Sequence, residues 1–237
     1  MSKNPTSRNE PTQPSQAVAS FIAQAKSPTK LPGKPIESRI IFGLDATASR
    51  EPTWDQASQI QHEMFAAVQS NQRLAVQLCF YRGFRELKAS RFCHSATELQ
   101  GLMGRVRCRG GHTQISRLLK HALKISRVDA LKAVLFVGDA IEESVDDLCD
   151  QAGRLGLKKI PLFIFHEGRD VAVERTFRAM TKLSGGAYAP FDLASPDQLK
   201  RLLAGAAAYA TGGRAALGSL AYQQPGLKQL PAQLPKK

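Results

Sequence analysis

Between residue 39 and about residue 209, short apolar runs alternate with stretches whose apolar positions recur every three or four residues. That alternation is the pattern of β-α units building a parallel sheet covered on both faces. Residues 40–44 read as a first strand, 74–81 as a second, 133–137 as a central one, and 160–165 and 187–191 as the last two. After residue 81, Arg82, Gly83 and Phe84 form a turn, and 85–92 reads as a short antiparallel partner. Its Arg85, Glu86, Lys88 and Arg91 suit a sheet edge that must not template aggregation. Helices are expected over 54–70, where Ala57, Ile60, Met64, Ala67 and Val68 share a face, and over 95–106, 114–127, 144–155, 170–183 and 196–209. Ser195 and Pro196 supply the N-cap and first-turn proline of the last. The fold class is therefore α/β: a doubly wound, mainly parallel six-stranded sheet with one antiparallel edge strand and helices on both faces, Rossmann-like in outline.

Both ends lack this pattern. Residues 1–37 are rich in Pro, Ser, Thr, Asn and Gln, and read as a flexible polar tail. Within it Val18, Phe21, Ile22 and Ala25 give 16–26 the spacing of a short helix able to dock on the domain. Residues 212–237 read as a flexible, basic, Pro/Gln-rich tail, which leaves 38–211 as the domain. The chain has 237 residues, 43% of them hydrophobic and 22% charged, which fits one ordinary core plus tails. No apolar run approaches the roughly 18 residues of a membrane span. The start is polar where a secretory signal needs an apolar stretch, so a cytoplasmic protein is expected. Cys79, Cys93, Cys108 and Cys149 form no CxxC pair and read as free thiols. The net charge is +13, and the two ends carry +7 of it. With no aromatic-interleaved basic stripe, the excess reads as solvated charge, without a specific nucleic-acid or membrane partner.

Candidate chemistry lies at the strand tips. The first strand runs into LDATAS, which sets Asp45, Thr47 and Ser49 at two-residue intervals. Thr113 follows in RGGHTQI just before a helix, and Asp139 ends the apolar run AVLFVGD. Hydroxyls and carboxylates from three loops suit a hard cation such as magnesium, which takes about six oxygen ligands and keeps several waters. D-x-T-x-S after a first strand, G-G-x-T before a helix and an Asp after the fourth strand resemble the metal-ion-dependent adhesion site (MIDAS) of von Willebrand factor A (VWA) domains. SGGAYAPFD resembles that family's last turn and strand, so the likeness covers most of 39–210. Thr47 stands where the family more often has Ser, and Ala140 where it often has Gly.

The resemblance implies that Asp45 orients metal-bound water, that Thr47, Ser49 and Thr113 offer hydroxyl ligands, and that Asp139 completes the site directly or through water. It also implies the strand order 3-2-1-4-5-6. Asp45 and Asp139 then flank the point where the winding reverses, the usual ligand crevice of such sheets. The function it implies is non-enzymatic: a divalent cation, Mg2+ first and Mn2+ or Ca2+ as alternatives, binds an Asp or Glu carboxylate of a partner protein. Two other readings remain open. VGDAIEESVDD together with Asp45 resembles the haloacid-dehalogenase phosphatases, with Asp45 as nucleophile, although Thr47 stands where their general acid belongs. A metal-free VWA scaffold is the other. Cys93, His94, Cys108 and His112 match no zinc spacing. Glu142, Glu143, Asp146 and Asp147 read as the acidic first turn of a helix, and Arg105, Arg107 and Arg109 as charge able to steer an acidic partner.

Overall fold

Among the described residues, five mainly apolar runs and one charged edge segment form six strands: β1 (Ser38–Asp45), β2 (Leu74–Arg82), β3 (Glu86–Cys93), β4 (Leu131–Gly138), β5 (Leu162–Glu167) and β6 (Ala187–Phe191), β3 being the charged one. The structure is a computed structural model that describes residues 37–51, 74–192 and 196–236. The helices read over 16–26 and 54–70 lie outside the described residues. The strands join in one sheet of order β3-β2-β1-β4-β5-β6. All pairings are parallel except β2 with β3, the antiparallel edge. This is the doubly wound, VWA-type order expected from the sequence.

Strand alternation divides the core in two. Ile40, Phe42 and Leu44 of β1 face one side with Leu135 and Val137 of β4 and Phe163 and Phe165 of β5. Ile41, Val134, Phe136, Leu162 and Ile164 face the other. Helices α2 (Ile115–Ile125), α3 (Val145–Leu157) and α4 (Val171–Ser184) cover the second face through Leu118, Leu148, Leu155 and Phe177. Helix α1 (Ala96–Met103) and the long α5 (Pro196–Gln223) cover the first, through Leu99, Leu199 and Leu203. Both faces are dry, which is why the central strands lack a polar period. No helix among the described residues is long and apolar enough to cross a membrane.

The C-terminal region departs from the reading of a flexible tail. Helix α5 breaks at Gly213 (φ 66°), resumes, and is followed by a 3-10 turn (Pro225–Leu227) and α6 (Gln229–Gln233). Leu217, Ala221, Leu227, Leu230 and Leu234 are all buried in the first-face core. Leucines separated by three to seven residues carried that signal, and the Pro/Gln-rich composition around them masked it. The side-chain amide of Gln233 is bonded to β6 itself: Tyr188 N–H donates to Gln233 Oε1 at 2.9 Å, and Gln233 Nε2 donates to the Tyr188 carbonyl at 2.8 Å.

Candidate functional site

The C-terminal ends of β1 and β4 lie side by side, with Leu44 in register with Val137. Asp45 and Asp139 therefore leave the sheet at its reversal point. Asp45 is fully buried. One of its oxygens accepts the Thr47 N–H at 2.8 Å, closing an Asx turn, and the other accepts the Tyr81 hydroxyl at 3.0 Å. The turn brings Thr47 Oγ1 to 3.1 Å from Ser49 Oγ. Thr47 is buried, whereas Ser49 is exposed in the 3-10 turn Ala48–Arg50.

The second loop is stitched to the first by backbone. Arg109 N–H donates to the Ala46 carbonyl at 3.1 Å, and Thr47 and Arg109 form an isolated parallel bridge. Gly111 then passes so close to the β2-β3 turn that a Cβ there would collide with the Gly83 carbonyl, which explains glycine in G-G-x-T. Gly111→Ala must displace one of two backbones. It is expected to cost about 1–3 kcal/mol, the range for forced overpacking, read as a lower midpoint in urea.

Thr113 is buried and joined to the third loop by a reciprocal pair. Its N–H donates to Glu142 Oε2 and its Oγ1 accepts the Glu142 N–H, both at 2.8 Å. Glu143 reaches the same way, its carboxylate accepting the N–H groups of Ile115 and Ser116 at the start of α2. Glu142 and Glu143 are thus not the first turn of α3, which begins at Val145 and holds only Asp146 and Asp147 there. They dock the loop of Thr113 onto the loop of Asp139, a pairing 27–29 residues apart that local charge patterning could not reveal.

The site is electrostatically unbalanced. Burial pushes the Asp45 carboxyl above its ordinary value; hydrogen bonds from Thr47 oppose the rise, and the charge of Asp139 adds to it. Burial also raises Glu143, against the pull of the Ser116 and Ile115 amides. Tyr81 is pushed far up, first by burial and then by Asp45, so its hydroxyl stays protonated and donates. Asp139 Oδ1 is buried and has no hydrogen-bond partner among the described residues. A carboxylate oxygen in that condition, beside a second buried carboxylate, is the environment that a cation relieves. The donor set of two carboxylates and three hydroxyls on adjoining loops fits a hard divalent ion.

Two further residues escaped sequence reading. Tyr81 looks like an ordinary strand aromatic, and it stacks on Phe136 as one would. Arg50 looks like surface charge but is only 1% exposed, and its guanidinium lies 3.0 Å from Glu167 at the tip of β5. This buried pair ties the turn bearing Ser49 to the next strand end but one. Burial also pushes the His166 imidazole below its ordinary value, with Nδ1 3.0 Å from the Tyr188 hydroxyl. The other histidine and cysteine candidates are dispersed: His94 pairs with Glu37 at 2.9 Å and His112 leans on Phe84. Among the described residues no three His, Cys, Asp or Glu side chains are grouped to hold a metal, so a cation here depends on hydroxyl ligands.

Among solved structures, a von Willebrand factor type A protein from Catenulispora acidiphila is similar at a TM-score of 0.60 and 16% identity, over 73% of this chain and 43% of that one. This chain thus spans less than half the length of that relative. The SpRpn10 VWA domain is similar at 0.55 and 13% identity, over 69% of this chain and 95% of that one. Proximal thread matrix protein 1 from the mussel byssus, with a zinc-occupied MIDAS motif, is similar at 0.58 and 12% identity, over 72% and 46%. At these identities the likeness establishes the fold, which is that of VWA domains. No protein-family model matches the sequence, and no curated protein matches it.

Proposed function

We propose that this VWA-fold chain is a non-enzymatic binding module that holds one divalent cation, Mg2+ in the first instance, and uses it to capture an Asp or Glu side chain of a partner protein. The observation that carries the reading is the buried Oδ1 of Asp139, without a hydrogen-bond partner among the described residues, beside fully buried Asp45 at the sheet's reversal point. Thr47, Ser49 and Thr113 would supply hydroxyl ligands, and Asp139 a carboxylate. Asp45, with both oxygens engaged by Thr47 and Tyr81, would act on metal-bound water. The bound cation supplies positive charge and an open position for an anionic oxygen. The protein's share is to hold the donors in place before the ion arrives, through the backbone bonds between Ala46 and Arg109 and between Thr113 and Glu142.

The same hydrogen bonds weigh against a phosphatase. A nucleophilic Asp needs an oxygen open to attack, and Asp45 is enclosed with each oxygen accepting a bond. The zinc-occupied MIDAS of the byssus protein supports a cation in this fold. Calorimetric titration with magnesium, manganese and calcium is expected to give saturable heats in the parent. In Asp139→Ala affinity should fall at least about 100-fold, beyond the cost of losing an outer-shell partner. Equal heats from the two proteins would sink the reading.

A further inference from the structure

Next to the candidate cation centre lies a surface that the metal reading leaves unused. Phe84 is 76% exposed at the apex of the β2-β3 turn. Its ring meets that of His112 edge-on, with centroids 5.5 Å apart, and His112 directly precedes Thr113. A single exposed aromatic is ordinary. This one is held in place. Gln114 Nε2 donates to the carbonyls of Arg82 and Gly83 at 3.3 and 3.0 Å, and Arg82 Nη1 donates to the Arg107 carbonyl at 2.9 Å. Gly111 also lies against Gly83. The turn and the loop bearing Thr113 are therefore one rigid unit, and Phe84 is presented at a fixed position relative to the proposed ligands.

The charge around the ring is predominantly positive. Arg85, Arg107 and Arg109 are exposed. The acidic neighbours are Glu86, 3.2 Å from Arg82 and 3.7 Å from Arg109, and Glu142, 3.4 Å from His112. Positive charge is left over along the approach to the site. We propose that the partner binds through an acidic peptide segment whose metal-seeking Asp or Glu has an apolar or aromatic neighbour seated on Phe84, with its other acids facing Arg85, Arg107 and Arg109. This rests on the cation reading, because it is the bound ion that fixes the partner's carboxylate. Rigid aromatic anchors with charged surrounds are what interface energetics favour. A single-stranded nucleic acid fits less well: it stacks on successive rings, and among the described residues Phe84 is the one exposed phenyl ring beside Thr113.

The test uses a library of short peptides with a fixed central Asp and random flanks, selected on the full chain in magnesium. Enriched peptides are expected to carry an aromatic or aliphatic residue within two positions of the Asp and a net negative charge. Phe84→Ala should bind them about 10-fold more weakly, equivalent to about 1.4 kcal/mol, with unchanged magnesium heats. Arg107→Glu combined with Arg109→Glu should weaken them and flatten the salt dependence. Enrichment without an apolar neighbour, selection of basic peptides, no enrichment at all, or tighter binding of single-stranded oligothymidine overturns the surface. Normal magnesium heats in those cases leave the cation reading standing. Silent heats with Phe84-dependent peptides remove the cation and keep the surface.

Discussion

A chain ending at residue 211 is expected to lose most of its stability, although it retains every strand and every candidate metal ligand. The removed segment buries Leu217, Leu227 and Leu230 completely and Leu234 to 4% exposure. Each buried leucine is worth about 1.5–3 kcal/mol relative to exposure, so these four together approach the whole net stability of a domain, about 5–15 kcal/mol. The first-face core would also lose the Leu217, Leu227 and Leu230 side chains that pack around Gly205. Urea denaturation of the truncated and full chains measures the difference. Leu230→Ala alone should cost about 2–5 kcal/mol. A truncated chain with an unchanged midpoint would show that the segment merely rests on the domain.

Asp45→Asn is expected to stabilise the chelated protein and abolish its response to magnesium. In the metal-free state the Asp45 carboxylate is buried beside the Asp139 charge, and both effects disfavour its ionised form. Its proton is thus held more tightly in the native state than in the unfolded chain. The contribution to stability is fully present below the unfolded-state value of about 3.9 and is lost as pH rises through the raised native value. Above that raised value the whole penalty is present. Asn removes it while still accepting the Thr47 N–H through its oxygen and offering its amide to the Tyr81 oxygen. In chelator the variant's melting temperature should exceed that of the parent at pH 7, and the gap should close on acidification. At magnesium concentrations of about 100 times Kd the parent gains about 2.7 kcal/mol and the order reverses. A variant less stable than the parent in chelator would show that Asp45 is held by its hydrogen bonds and not strained by its charge.

The sheet was legible because the parallel strands are short apolar runs between polar turns and β3 carries the charges of an edge, and Ala187–Phe191 matched to the residue. The five candidate ligands were singled out because Asp45 and Asp139 follow strand tips that point at one crevice and because the hydroxyls of Thr47, Ser49 and Thr113 stand in the loops beside them. What escaped has a common cause: its meaning depends on a partner distant in sequence. Tyr81 matters through Asp45, 36 residues away, and Glu142 through Thr113, 29 away. Arg50 pairs with Glu167 on another strand. The C-terminal helices were missed for a different reason. Prolines at 225, 231 and 235 break any long periodicity, yet the first two stand between the leucines and the third follows the last, which leaves the leucines free to pack.

The bond between Gln233 and Tyr188 has a bearing on how copies of the protein meet. A terminal strand with vacant amides and carbonyls invites a neighbour's strand to add on and so propagate. Here one side chain imitates a residue of that missing neighbour, filling both outward backbone groups of Tyr188. At the opposite margin, Lys88 and Arg91 on β3 deter the same event by repulsion. One boundary of the sheet is thus sealed by mimicry and the other by charge, so a Gln233→Ala protein would keep its fold and become prone to self-assembly.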